Sequence, residues 1–205
     1  SNCTLLIRPI FSETILGSEQ IPSATPADLA AAIIESIDAG ARILNMSVAI
    51  AQPSSQGELE LQETLDYALK RGVIVVAASG NQGTLGSSAI TRHPWVIPVV
   101  ACNLQGRPIS YSNLGNSIGR RGLSAPGDRI TSLGTEEKTV TLGGTSVATP
   151  FVTGAIALLW SEFPTATAAQ VKLAVTQGNG FRRTTVVPPL LDAWAAYQVM
   201  AKSRF

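Results

Sequence analysis

Val73-Ile74-Val75-Val76-Ala77-Ala78-Ser79-Gly80-Asn81-Gln82-Gly83 is an unbroken apolar run that ends in a polar, glycine-marked turn. A strand with one wet face alternates apolar and polar residues. A strand of a parallel sheet, covered by helices on both faces, is apolar throughout. Upstream, Gln56 to Arg71 repeats apolar residues at helical spacing, with Leu61, Leu65, Ala68 and Leu69 inward, and Gly72 ends it. Before that, Ala41 to Val48 reads as a strand. Pro26 to Gly40 reads as a helix with Pro26 in its first turn and Leu29, Ile33 and Ile37 on one face. Downstream, Trp95 to Cys102 is another apolar strand. Strand and helix alternating at this spacing predict an α/β fold with a mainly parallel sheet.

Thr4 to Phe11 reads as a further buried strand, apolar and partly β-branched. Beyond Cys102 come short strands around Leu123, Ile130 and Val140, a long apolar helix from Ser146 to Glu162, and a last helix from Thr167 to Thr176. No internal repeat and no low-complexity linker interrupts the chain, so residues 1–205 read as one domain.

Composition excludes several classes. Apolar residues make up 45% and charged residues 14%, which fits a packed interior rather than a disordered tail. The formal net charge is +1, and Arg120-Arg121 and Arg182-Arg183 are isolated pairs, so no nucleic-acid partner is expected. Nor is a membrane: the longest apolar stretch, Phe151 to Trp160, is short of the roughly 18 residues of a span and contains Thr153 and Gly154. Two cysteines, Cys3 and Cys102, with a single histidine, cannot make a zinc site. Each sits in an apolar run and reads as a buried thiol, with a disulfide between them left open.

Ligands of open α/β sheets gather at the carboxyl ends of the strands. Three polar features lie there: Asn45-Met46-Ser47-Val48-Ala49, Ser79-Gly80-Asn81, and Gly143-Gly144-Thr145-Ser146-Val147-Ala148-Thr149-Pro150 before the most apolar helix. Taken alone, Ser146 reads as a helix N-cap and Asn81 as a turn residue. The chemical alternative is nucleophilic catalysis. Two glycines permit a tight turn that presents a serine, and free N–H groups at a helix start favour a developing oxyanion. Ala148 and Gly154 would let the helix approach the sheet closely. Pro150 lies near enough to the helix start to be tolerated.

Gly144-Thr145-Ser146-Val147-Ala148-Thr149-Pro150 resembles the serine signature of the subtilisin-like peptidases. Leu44-Asn45-Met46-Ser47 is similar to that family's substrate-binding strand, Ala78-Ser79-Gly80-Asn81 to its oxyanion turn, and Ser124-Ala125-Pro126-Gly127 to its Ala-Pro-Gly turn, all in the family's order. The resemblance implies a three-layer α/β/α fold and a serine endopeptidase of peptide or protein substrates. Ser146 would be the nucleophile and Asn81 an oxyanion donor. Ser47, Val48 and Ala49 would pair with an extended substrate, and Ala78, Ser79 and Gly80 would line the pocket for the side chain before the scissile bond. Sedolisin-type peptidases share the serine signature but use an aspartate for the oxyanion, so Asn81 points to the subtilisin branch. The family commonly has Gly where Ala49 stands, and a methyl there should narrow the pocket. No cofactor is implied; structural calcium occurs in the family, but no Asp-rich loop nominates a site. Val186 to Tyr197 resembles the corresponding part of bacterial peptide-maturation subtilases of the cyanobactin type.

The resemblance also implies a catalytic aspartate and histidine ahead of Thr4, and no Asp-Thr-Gly or His-Gly-Thr string occurs. His93 reads as a solvated loop residue, and Asp28, Asp38, Asp66 and Asp128 match no triad position. The domain is therefore expected to be incomplete at its N-terminus. An N-terminal fragment carrying Asp and His would be its partner, exposed sheet surface being its docking face. The alternative is an inactive pseudopeptidase that keeps the cleft as a peptide-binding or assembly module.

Overall fold

The computed structural model describes residues 3–11, 23–50, 57–134, 138–177 and 185–202. Four strands, β1 (Ile43–Met46), β2 (Ile74–Ala78), β3 (Val96–Cys102) and β4 (Leu123–Pro126), form one sheet in the order β1-β2-β3-β4. Every pairing is parallel, with Ile43 opposite Ile74, Val75 opposite Val96 and Val99 opposite Leu123.

Every residue of β2 and β3 is buried, and strand alternation divides them between two cores. Val75 and Ala77 face helices α1 (Pro26–Asp38) and α2 (Glu58–Lys70), meeting Ile33, Ile37, Leu61 and Leu65. Ile74, Val76, Ile97 and Val99 face the other way, toward α5 (Thr145–Glu162), α6 (Ala168–Thr176) and α7 (Ala193–Lys202). The result is a three-layer α/β/α architecture. Each fully buried Val, Ile or Leu contributes about 1.5–3 kcal/mol, so both faces are strongly specified. Two short helices, α3 (Ala89–Arg92) and α4 (Asn116–Arg121), precede β3 and β4. An exposed antiparallel hairpin, β5 (Ile130–Leu133) and β6 (Thr139–Leu142), leads into α5.

Helix starts follow side-chain capping. Thr25 and Asp28 form a reciprocal capping box at α1, with Pro26 in the first turn; Thr167 and Gln170 do the same at α6. α2, α4 and α5 instead start after Gly57, Gly115 and Gly144, which supply no side chain.

Several expectations are corrected. Thr4 to Phe11 is not a strand: it forms no ladder with any described residue, and Leu5 and Ile7 are 82% and 71% exposed. A strand exists only through its ladder, and among the described residues β1 pairs with β2 alone. Cys3 is consequently exposed, while Cys102 is buried in β3; both are free thiols. Gly154 is exposed with nothing within 4 Å of its missing Cβ, so it makes no close approach to the sheet. Ala148 does, being fully buried. The helix from Thr167 is not the last, for α7 follows, its start capped by Asp192 accepting from the Ala195 N–H at 2.8 Å. Ahead of it, the proline-bearing segment Pro188–Leu191 lies along the outer edge of β4. Ser124 N–H donates to Pro189 O at 2.7 Å, and Leu191 N–H donates to Ser124 O at 2.8 Å. That blunts one sheet edge.

Candidate active site

The parallel strands deliver the ends of β1 and β2 to one side of the sheet, where α5 begins. Gly80, just past β2, has φ +106°, and a Cβ there would stand 2.3 Å from Asn113 Nδ2; only glycine fits. Its N–H donates to Thr145 Oγ1 at 3.2 Å. Thr145, wholly buried, donates its own N–H and hydroxyl to Asn81 Oδ1, at 2.9 and 3.0 Å.

Both Thr145 groups are donors here, so the Asn81 atom facing them is the amide oxygen, and the NH2 is left on the other side. Asn81 is exposed and its Nδ2 has no partner among the described residues. Ser146, the second residue of α5, is half-buried, and its N–H likewise has no described partner. Two uncommitted N–H donors therefore flank one serine at a helix N-terminus.

Ser47 lies just past the last ladder pair, Met46 with Ala77. Its hydroxyl accepts from Asn45 Nδ2 at 2.9 Å and donates to the Ser146 carbonyl at 2.9 Å. Val48 is half-buried and Ala49 exposed. Ala78 and Ser79 are buried, and Ser79 Oγ has no described hydrogen-bond partner. Thus Ser47, Gly80, Asn81 and Ser146 are tied together directly or through Thr145, and Val48, Ala49, Ala78 and Ser79 flank them in the chain.

Three contributors were not singled out in the sequence. Thr145 stands inside the Gly-Thr-Ser string, but its partner is set by the fold. Asn45 is visible only as a polar residue at a strand end. Asn113 Oδ1 accepts from the N–H groups of Gln82 and Thr84 at 3.0 and 3.1 Å, holding the turn after Gly80; no local signal marks it.

His93 is the chain's single histidine and is buried, not solvated. Nε2 lies 3.2 Å from Asp66 Oδ1, and Nδ1 accepts the Trp95 N–H at 3.3 Å, so both ring nitrogens are engaged. It precedes β3, at the opposite end of the sheet from Ser146. The five residues of β2 put roughly 16 Å of strand between the two ends. His93 cannot serve Ser146. Among the described residues, no group of three or more His, Cys, Asp and Glu side chains could hold a metal ion.

A parallel sheet helix-covered on both faces, with a serine-bearing helix start beside an asparagine turn, defines the class: the subtilisin-like α/β/α peptidase fold. The chain belongs to the subtilase family, whose model matches residues 12–184. It is 34% identical over 155 residues to a thermostable alkaline protease of Halalkalibacterium halodurans, covering 76% of this chain and 41% of that protein. Among solved structures it is similar to the prenylagaramide maturation protease PagA, with TM-score 0.79 and 26% identity over 89% of this chain and 70% of that one. The self-cleaved protease domain of PatA gives TM-score 0.75 and 29% identity over 87% and 69%. The chain thus spans about two-fifths of the length of the curated relative.

Proposed function

We propose that this chain supplies the nucleophile and oxyanion half of a serine endopeptidase that acts on extended peptides through an acyl-enzyme. Ser146 Oγ attacks the scissile carbonyl as a base removes its proton. The oxygen that gains charge sits between Asn81 Nδ2 and the Ser146 N–H. Collapse expels the amine, which takes the proton back from the base; water then hydrolyses the Ser146 ester by the same sequence. Substrate would lie along Ser47, Val48 and Ala49, with the side chain before the scissile bond against Ala78, Ser79 and Gly80.

One observation carries this reading: Thr145 claims the Asn81 oxygen, leaving two free N–H donors beside Ser146. The base, a histidine oriented by a carboxylate, would come from a segment other than these 205 residues, because His93 is committed elsewhere. That segment would dock at the edge of β1 that pairs with no described strand. The similarity to a self-cleaved protease domain supports a two-piece arrangement, and the similarity to maturation proteases supports peptide substrates.

Labelling with a fluorophosphonate tests this. Covalent modification of Ser146 in the presence of the Asp- and His-bearing segment, lost in Ser146→Ala, is expected. No modification of the reconstituted pair, together with retained peptide binding, would instead make the chain a non-catalytic binding module.

A further inference from the structure

Pro150 is not at the margin of α5 but inside it, four residues after Ser146. In a helix the Ser146 carbonyl would accept from the N–H of residue 150, and proline has none. The proline ring also presses on the carbonyl four residues back, turning it away from the helix axis. The carbonyl of Ser146 is therefore orphaned by the sequence itself.

Its partner arrives from another element. Ser47 Oγ, at the end of β1, donates to Ser146 O at 2.9 Å across 99 residues of sequence. The direction of that hydroxyl is fixed, because Asn45 Nδ2 donates into Ser47 Oγ at 2.9 Å and leaves only the Ser47 proton for the carbonyl. Asn45 is held in turn, its Oδ1 accepting at 2.8 Å from Thr153 Oγ1, two turns along α5, a hydroxyl whose one proton is shared with Thr149 O at 3.2 Å. Thr153, Asn45, Ser47 and Ser146 close a loop between the strand end and the helix start.

We infer that Ser47 is a positioning residue: its hydroxyl replaces the helix N–H that Pro150 lacks and so sets the backbone of Ser146, aiming the Ser146 N–H and Oγ. This rests on Ser146 being the nucleophile, and it gives the Ser47 side chain a role separate from backbone pairing with substrate.

The test is the rate of fluorophosphonate labelling in the protein combined with its base-bearing segment, at limiting and saturating reagent. Ser47→Ala should lower the saturated rate about tenfold, the contribution of one neutral hydrogen bond. The half-saturating concentration should change less than about twofold, since reagent contacts are unaltered. Ser47→Thr keeps the hydroxyl and should recover most of the rate that Ser47→Ala loses. Pro150→Ala added to Ser47→Ala returns an N–H to position 150 and should recover most of the loss; that double variant also serves if Ser47→Ala does not fold. An unchanged rate in Ser47→Ala, or a loss that neither Ser47→Thr nor the added N–H recovers, overturns the inference while leaving Ser146 as nucleophile. Absence of labelling in wild type overturns both.

Discussion

Thr145 donates twice to one atom of Asn81, through its N–H at 2.9 Å and its hydroxyl at 3.0 Å. A residue with no exposed surface thereby decides which way an exposed amide faces. The same hydroxyl accepts the Gly80 N–H, so the turn after β2 and the start of α5 are held as one unit. Rigid, outward-facing donors are what oxyanion stabilisation requires, because dipoles already oriented need no reorganisation as charge develops.

Replacing Asn81 with Ala removes one of the two free donors beside Ser146. The labelling or turnover rate should fall by about 10² to 10³, a figure taken from the oxyanion asparagine of a subtilisin, with little change in substrate affinity. Steady-state kinetics of the reconstituted enzyme provide the check; equal losses in kcat and kcat/KM are expected.

Thr145→Val keeps the shape but loses the hydroxyl. Asn81 keeps one of its two bonds and the buried Gly80 N–H loses its acceptor. The expected outcome is about a tenfold lower rate and about 1–3 kcal/mol lower stability. Thr145→Ser should restore the rate. Parallel kinetics and urea unfolding separate the two effects.

Gly80→Ala places a methyl against Asn113 Nδ2 on a backbone with φ +106°. Strain and collision together should cost about 1–3 kcal/mol and displace the Asn81 turn. A lower urea midpoint with unchanged slope is the expected result.

The fold was legible wherever burial and local pattern agree. β2 and β3 are apolar at every position because helices cover both faces, and α1 and α6 carry their caps in sequence. Ser146 and Asn81 were legible as a pair through the strings around them. Thr4 to Phe11 has strand composition, but composition does not supply a ladder partner. The burial of His93 has no local signal in the sequence, and its partner Asp66 lies 27 residues upstream on α2. The α7 helix buries only Ala196 and Met200 and leaves Trp194 66% exposed. Pro150 looked tolerable by position; what accommodates it is a hydroxyl from a distant strand.

Lys172 provides a pH signature away from the site. Burial, followed by the charge of Arg121, lowers its pKa to about 8, while its ammonium donates to Pro94 O at 3.2 Å. The folded pKa lies below the unfolded value of 10.5, so between about pH 8 and 10 the unfolded chain holds more protons. Stability from this group must therefore rise with pH across that window. Wild type minus Lys172→Met, by urea unfolding at pH 7, 8, 9 and 10, should show that rise.

The most direct test is a crystal structure of the fluorophosphonate adduct formed with the base-bearing segment present. Phosphorus should be bonded to Ser146 Oγ, with the phosphoryl oxygen about 2.7–3.1 Å from both Asn81 Nδ2 and the Ser146 nitrogen. An adduct whose phosphoryl oxygen points to solvent, or an Asn81 amide turned so that Oδ1 faces it, would contradict the account.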